Sequence, residues 1–486
     1  MAEASTRRGL LLIACATAAL MACGCSDGGP VTPTASDSTA TPRAAVALTV
    51  LVFGDEDLAA GVTLLRGEWA ARSGGTLEVT SGSIELLNAA EPLRADVVVF
   101  PSRYLGALAE RGQLRTVRAS LLANREFNLN DIYPAIRNGE LIYGGQTLAL
   151  PLGSPPLLAC YRRADGEGER PDEDLSPLPT TWVEYRRFIG VESSATAEGG
   201  PNGAALAMSG DAAAFTLIGR AVAYTDSQRR RELLFDPETM APRIADPAFV
   251  RALSEIVEEV RAAGGEQALD FAAAITKVGA GGAGAAFGWP GLVEHAPGES
   301  QPPPAAFAPL PTATATYSAN RGLWENQSFA EPVTLLGVEG RLLGVCESSR
   351  NATSAFKLCQ WLSTGDVAIE LSSRSRGTMW FRKSQHSRHA KWTGRNVDAP
   401  GDEVTAAVEE ALERESPIMT PRIPGIDDYL AVLAEETRRA VAGNLAPAAA
   451  LQGAASRWEA ITDQRGRQQQ ATAYRRHLGS EDLTQR

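Results

Sequence analysis

The sequence predicts an α/β protein of more than one lobe with a helical C-terminal region, and three observations carry that prediction. From Ala47 to Phe100, strand-like apolar runs alternate with helical stretches in the order β–α–β–α–β with short connections, the signature of a parallel sheet under helices. The 486 residues suggest two or three cores, and 44% apolar and 21% charged residues are ordinary globular values. Third, the segment Arg163–Pro179 is charged and Pro-rich, a composition break that marks a passage into a second lobe.

In chain order, Arg7-Arg8 precedes the apolar run Gly9–Ala22, which opens onto a Ser/Thr/Pro-rich stretch. A basic start, about a dozen apolar residues and a small residue before the cut describe a secretory signal peptide over 1–22. The run is shorter than the roughly 20 residues a membrane span needs. Leu20-Met-Ala-Cys23 resembles the bacterial lipobox, which implies lipidation of Cys23 and a membrane anchor. A plain signal peptide cut near Cys25 is the alternative. Residues 23–46 are polar and nearly free of large apolar groups, so they read as a flexible tether.

Folding is expected to begin at Ala47–Phe53, an apolar run ending at Gly54 that reads as a strand buried on both faces. A helix through Leu64, Leu65, Trp69 and Ala70 stops at Ser73-Gly-Gly75, and strands follow at Leu77–Thr80 and Ala95–Phe100 with a helical Glu85–Ala90 between them. After a helix at Tyr104–Glu110, strands are expected at Thr147–Leu152 and Leu157–Tyr161. Pro179-Thr-Thr-Trp182 starts a helix with Thr181 as a cap. Helices follow at Phe215–Tyr224, Pro247–Ala263 and Gln267–Thr276, then a strand at Arg341–Cys346 and an amphipathic helix through Ala355, Phe356, Leu358, Cys359 and Leu362. The tail reads as helices over 403–415, 425–442 and 447–463, and 464–486 as a frayed polar end.

The net charge of −12, without a basic cluster, excludes an electrostatic footprint for nucleic acid. Of six cysteines, Cys25, Cys160, Cys346 and Cys359 are left once Cys15 and Cys23 are set aside; they permit three full pairings among which sequence does not choose, and Cys346 and Cys359, close in sequence, are the candidate pair. No zinc or iron–sulfur spacing occurs, and His386 and His389 sit among Arg and Lys as solvated surface. Gly279–Gly284 lacks the Lys-Ser/Thr of a phosphate loop, and neither a Gly-x-Ser-x-Gly elbow nor a His-Glu-x-x-His motif is present. No metal, no cofactor and no enzymatic activity are therefore expected.

Several segments, in one order, resemble the solute-binding proteins of bacterial ABC importers, in the carbohydrate-binding, maltose-binding-protein-like cluster. They are Leu48–Thr80, Ala95–Gly112 with its "D-V-V" strand and "L-A-E-x-G" helix end, and Tyr143–Ser154 running into Leu157–Arg162. Pro179-Thr-Thr-Trp182, Asp246–Leu253, Leu343–Leu371 with Asn351-Ala-Thr-Ser-Ala-Phe-Lys-Leu-Cys-Gln-Trp-Leu362, and Pro424–Trp458 complete the set. The resemblance implies a two-lobe periplasmic-binding-protein fold with a hinge and a ligand cleft. Lobe 1 would comprise 47–155 plus 342–385, lobe 2 would comprise 156–341 plus 386–463, and the crossings would fall near Leu152–Tyr161 and Glu339–Cys346. It implies a lipid-anchored monomer on the periplasmic side of a membrane, inner or outer, that captures a sugar or oligosaccharide and delivers it to permease subunits. An extracytoplasmic sensor or scaffold of the same fold is the alternative.

A sugar presents hydroxyls at its edge and C–H bonds on its faces, so a cleft for it needs aromatic platforms and polar rims. Loops after the parallel strands are the expected positions. Asp55 and Glu56 offer carboxylates for sugar hydroxyls or, equally in keeping with their place, cap a helix. Ser102 and Tyr104 follow the third strand, where each could meet ligand or serve the helix that starts there. Ser154 lies at the first crossing as a ligand contact or a turn residue. Trp289, between Gly288 and Pro290, matches the family's aromatic platform in lobe 2, and Trp324 is a second candidate ring. Trp380 and Arg382 stand where the family passes the cleft with a "P-x-R" segment, although Met379-Trp380 departs from that pattern.

Overall fold

A computed structural model describes residues 46–89, 91–162, 177–191, 203–265, 268–292, 305–327, 331–393 and 403–483. The signal peptide, Cys23, Cys25, the tether up to Ala45 and most of the Arg163–Pro179 loop lie outside the described residues.

The strands are β1 (Ala47–Phe53), β2 (Thr76–Gly82), β3 (Val97–Pro101), β4 (Ile142–Tyr143), β5 (Gln146–Thr147), β6 (Leu150–Gly153) and β7 (Leu158–Arg162) in the first part of the chain. There follow β8 (Ala285–Gly288), β9 (Ala305–Ala308), β10 (Ala315–Ser318), β11 (Leu323–Asn326), β12 (Leu335–Leu336), β13 (Arg341–Val345) and β14 (Ile418–Met419). The main sheet has the order β2-β1-β3-β13-β6, with β1 parallel to β2 and β3, and β13 antiparallel to both β3 and β6. Residues of β3 are buried throughout, as expected of a strand covered on both faces. The second sheet is antiparallel with β7 in the centre, flanked by β8 and β9.

Two neighbouring segments join the sheets. The chain leaves β6 at Ser154 and enters β7 at Leu158, then returns from β12 to β13 through Val338–Gly340. They are tied together, because Leu157 N–H donates to Leu335 O at 3.1 Å and Ser154 Oγ donates to Glu339 O at 3.0 Å. At the crossover Gly153 adopts φ +108° and lies against the Met379 backbone, a close approach that leaves no room for a Cβ.

The expected helices form with small changes of boundary. The first is split into Glu56–Leu64 and Arg66–Ser73, ending on Gly74 in the left-handed region. Glu85–Ala90 is a 3₁₀ turn over Ile84–Asn88. Thr181 caps Trp182–Phe188 through a reciprocal pair with Glu184. The tail helices Glu403–Leu412, Ile426–Val441 and Pro447–Arg465 form, and the last two pack on Ala212–Tyr224 and Pro247–Ala262 beside the second sheet.

Three expectations need correction. His389 is not solvated surface but is buried beside Trp380, while His386 stays exposed. Residues 467–478 are not frayed: Arg467–Leu478 is a helix whose Gln470, Tyr474, Arg476 and His477 are buried. Its polar groups find distant partners, including Gln470 Nε2 to Pro424 O at 3.1 Å and Arg476 Nη1 to Glu110 Oε2 at 2.8 Å. Cys346 and Cys359 are free thiols, not a disulfide. Cys346 directly follows β13 and Cys359 lies on the helix packed over it, where both fill core space as small apolar groups. Burial pushes the Cys346 thiol up to about 12 and that of Cys359 higher still.

Candidate functional site

Along the seam between the sheets, the C-terminal ends of β1 and β3 and the first residue of β13 place a strip of charged groups. Asp55, after Gly54, accepts from Leu58 N at 3.0 Å and so caps Glu56–Leu64. Its second oxygen accepts from Arg341 Nε at 3.0 Å and from Ser375 Oγ at 2.6 Å. Arg341 continues to Glu339 at 2.8 Å. The antiparallel run of β13 explains the meeting, since its N-terminal end lies at the same sheet edge as the C-terminal ends of β1 and β3.

The 3₁₀ turn Ser102–Tyr104 after β3 reaches helices that pack beside the second sheet. Arg103 lies 3.5 Å from Asp211, at the start of Ala212–Tyr224, and 3.4 Å from Asp427 in the first turn of Ile426–Val441. Tyr104 Oη donates to Asp427 Oδ2 at 2.6 Å. Arg103 Nε and Asp427 Oδ1 are buried without a hydrogen bond, so this pair is joined by charge alone at a long separation. Burial raises the Asp211 carboxyl, and the Arg103 charge opposes that rise.

Trp289 follows β8, whose last residue Gly288 pairs with Leu158 at the start of β7. That register sets the indole beside the first crossing. Its Nε1 donates to Arg376 O at 2.7 Å, and its ring lies 5.9 Å from that of Phe271. Arg376 follows Gly365–Ser372, a helix that packs on β6 of the main sheet, so this bond also spans the seam.

At the hinge, Glu140 is buried with both carboxyl oxygens lacking a hydrogen bond among the described residues. Ser102, Ser154 and Gly340 surround it. Burial raises its pKa to about 7, opposed by the serine hydroxyls and the Arg422 charge.

The structure therefore brings Asp55, Ser102, Tyr104, Ser154 and Trp289 to the seam, although Ser102 and Ser154 are enclosed at its base. Glu56 is exposed in the first turn of its helix, and no described hydrogen bond or ion pair joins it to the strip. Three expected contacts lie elsewhere. Trp380 is fully buried against Trp392 at 5.9 Å and His389 at 6.2 Å, packing that leaves no face for a ligand. Arg382 is 3% exposed and is used by the carbonyls of Phe127 and Ser363, at 2.9 and 3.0 Å. Trp324 packs against Tyr224 at 6.1 Å and beneath Arg251 on the surface. Tyr224 ends the 13-residue helix that begins beside Arg103, so Trp324 stands about 20 Å from the strip.

Arg103, Asp211, Glu339, Arg341 and Asp427 were not singled out by sequence. Arg103 had a signal, lying between two residues that were. The others come to the seam only through β13 and the packing of distant helices.

No metal-binding group of His, Cys, Asp and Glu occurs among the described residues, and none of their helices is long and apolar enough to cross a membrane. No family model matches the chain, and no curated protein matches it by sequence. Solved structures do match over nearly their whole length. The sugar-binding protein MalE from the phytopathogen Xanthomonas citri is 19% identical with a TM-score of 0.60, over 86% of this chain and 98% of that one. An ABC transporter solute-binding protein from Agrobacterium radiobacter K84, in complex with ribitol, is 19% identical with a TM-score of 0.59, over 86% and 98%. Another from Agrobacterium vitis S4, with bound D-mannitol, is 16% identical with a TM-score of 0.59, over 86% and 99%. The two sheets, the paired crossings and these superpositions establish that the chain has the two-lobe fold of the ABC transporter solute-binding proteins.

Proposed function

We propose that this protein is the lipid-anchored solute-binding component of an ABC importer, held by Cys23 on the periplasmic side of a bacterial membrane, and that it captures a sugar or oligosaccharide for delivery to permease subunits. The observation that carries the reading is the loose charge strip at the seam. Arg103 meets Asp211 and Asp427 at 3.5 and 3.4 Å, and the Arg103–Asp427 pair leaves a buried donor and a buried acceptor unsatisfied. A ligand hydroxyl donates and accepts at once, so one such group can satisfy both. Trp289 beside the strip supplies an indole face for the C–H side of a sugar once the lobes part. The sugars and polyols named with the structural neighbours support the same chemistry.

The mechanism is non-covalent. Open lobes admit ligand, its hydroxyls take up the seam's spare hydrogen-bonding capacity, and selective affinity for the closed form shifts the population towards it. Thermal melting against a panel of mono-, di- and oligosaccharides and sugar alcohols tests the proposal. A ligand present at a hundred times its Kd stabilises by about 2.7 kcal/mol and raises Tm. A folded protein with no shift across a broad panel refutes sugar capture. Release of a Cys23→Ala variant from the membrane fraction checks the anchor.

A further inference from the structure

The segment Ala135–Glu140 separates the hinge from a second feature. The Glu140 side chain faces Ser102 and Ser154, while its backbone carbonyl accepts from Arg422 Nη1 at 2.8 Å. Arg422 lines a cavity of about 250 Å³, together with Asn138, Arg231, Glu415, Arg476 and His477. The cavity lies where Ala135–Glu140, the Glu415–Met419 stretch and the end of the last helix meet.

The charges there do not balance. Arg422 is buried, and its described bonds go to neutral acceptors: His477 Nδ1 at 3.2 Å, His477 O at 3.3 Å and Glu140 O. A guanidinium carries five N–H donors, so two of its donors are left for a further partner. Arg231 donates to Leu478 O at 2.8 Å, and neither arginine has an ion pair among the described residues. Arg476, by contrast, is paired with Glu110 and Glu481. Both unpaired arginines reach carbonyls at the C-terminal end of Arg467–Leu478, but a helix terminus presents only about half a negative charge. Glu415 and Arg231 are both solvent-exposed, so their charges are screened alike. The buried Arg422 guanidinium thus faces only the helix terminus and the Glu140 carboxyl, which burial keeps partly protonated with a pKa of about 7, and a positive excess remains in a protein of net charge −12. The same excess, with burial as the larger cause, keeps the His477 imidazole far below its usual pKa. A buried charge with only a partial counter-charge is costly, and a cavity beside it is where an anion would offset that cost.

We propose that this cavity is a binding site for a small oxyanion, a phosphate or a carboxylate, held by Arg422 and Arg231 separately from the sugar seam. The volume is below the usual range of pockets for larger ligands, about 300–1,000 Å³. An anion there would join lobe 1, the Glu415–Met419 stretch and the last helix at the hinge.

Calorimetric titration and melting of the sugar-free protein with inorganic phosphate, and in a parallel arm with acetate and citrate, test the site against sodium chloride of equal ionic strength. Saturable binding is expected in at least one arm, with Tm raised by about 2 °C or more over the chloride control. Arg231→Gln, at an exposed position, should keep the fold and weaken that binding by roughly tenfold, the effect of losing one charge-assisted bond. Arg422→Gln should abolish it wherever that variant still melts cooperatively. No saturable binding in any arm overturns the proposal, and so does an Arg231→Gln variant that titrates as the parent does, since the shift is then a general salt effect. Sugar-induced stabilisation is measured separately and is expected to persist in Arg231→Gln, so loss of one site leaves the other reading intact.

Discussion

Tyr104 and Asp427, 323 residues apart, are joined by a 2.6 Å hydrogen bond from phenol to carboxylate that crosses from the end of β3 to a helix of the tail. Burial, the largest cause, and the neighbouring Asp427 both raise the tyrosine pKa, so the phenol is a neutral donor at every physiological pH. A bond of this kind contributes about 1.5–3 kcal/mol. Tyr104→Phe is expected to weaken the proposed sugar affinity by roughly ten- to a hundredfold, because the proposed parting of the lobes would break this bond and closure would restore it. Isothermal titration decides it, and unchanged affinity would show that this contact does not follow closure.

Trp289 makes a second bond across the seam, to Arg376 O, while its ring fills space beside Phe271. Two substitutions separate the roles. Trp289→Phe keeps a ring and loses the N–H, so it should fold and lose about 1 kcal/mol of ligand affinity. Trp289→Ala should remove a further stacking contribution of the order of 1 kcal/mol and destabilise the fold by about 3–5 kcal/mol through the cavity left behind. Ligand titration together with chemical unfolding reads both quantities. Wild-type affinity in both variants would remove Trp289 from the site.

The strands of the main sheet were legible because Ala47–Phe53 and Ala95–Phe100 are largely apolar, β-branched runs, although of the two only β3 is buried on both faces, and Ala47, Thr49 and Leu51 of β1 keep some exposure. Asp55, Ser102 and Tyr104 were legible for a related reason, since loops after parallel strands face the cleft. Arg341 was not, because nothing local says that β13 runs antiparallel and brings its first residue to that edge. Arg467–Leu478 was hidden by its composition: its buried face includes Gln470, Arg476 and His477, whose partners Pro424, Glu110 and Arg422 are set by tertiary packing. Trp380 shows the converse limit. Sequence places a large ring near a cleft segment, and only the positions of Trp392 and His389 turn it inward.

The free thiols give a direct chemical test. Cys346 and Cys359 are 0% and 1% exposed, and burial suppresses their thiolate forms. The native protein should leave both unmodified by iodoacetamide at pH 8. In denaturant without any reductant both should be labelled, as read by peptide mass spectrometry. Labelling that appears only after reduction would show a disulfide.

Glu140 links the fold to pH. Its carboxyl is raised from 4.5 to about 7, with burial the dominant cause, opposed by the Ser102 and Ser154 hydroxyls and the Arg422 charge. Between those two values the native state keeps a proton that the unfolded chain has released, so stability falls as pH rises through the window and levels off above the folded pKa. The loss by pH 8 is of the order of 3 kcal/mol, from a shift of about two to three units at 1.36 kcal/mol each. Glu140→Gln keeps the shape of the neutral acid and cannot ionise. It should therefore match the parent near pH 4.5, exceed it in stability at pH 8, and flatten the slope between. Urea unfolding across pH 4.5–8 measures this directly, and parallel profiles for the two proteins would show that Glu140 stays ionised in the fold.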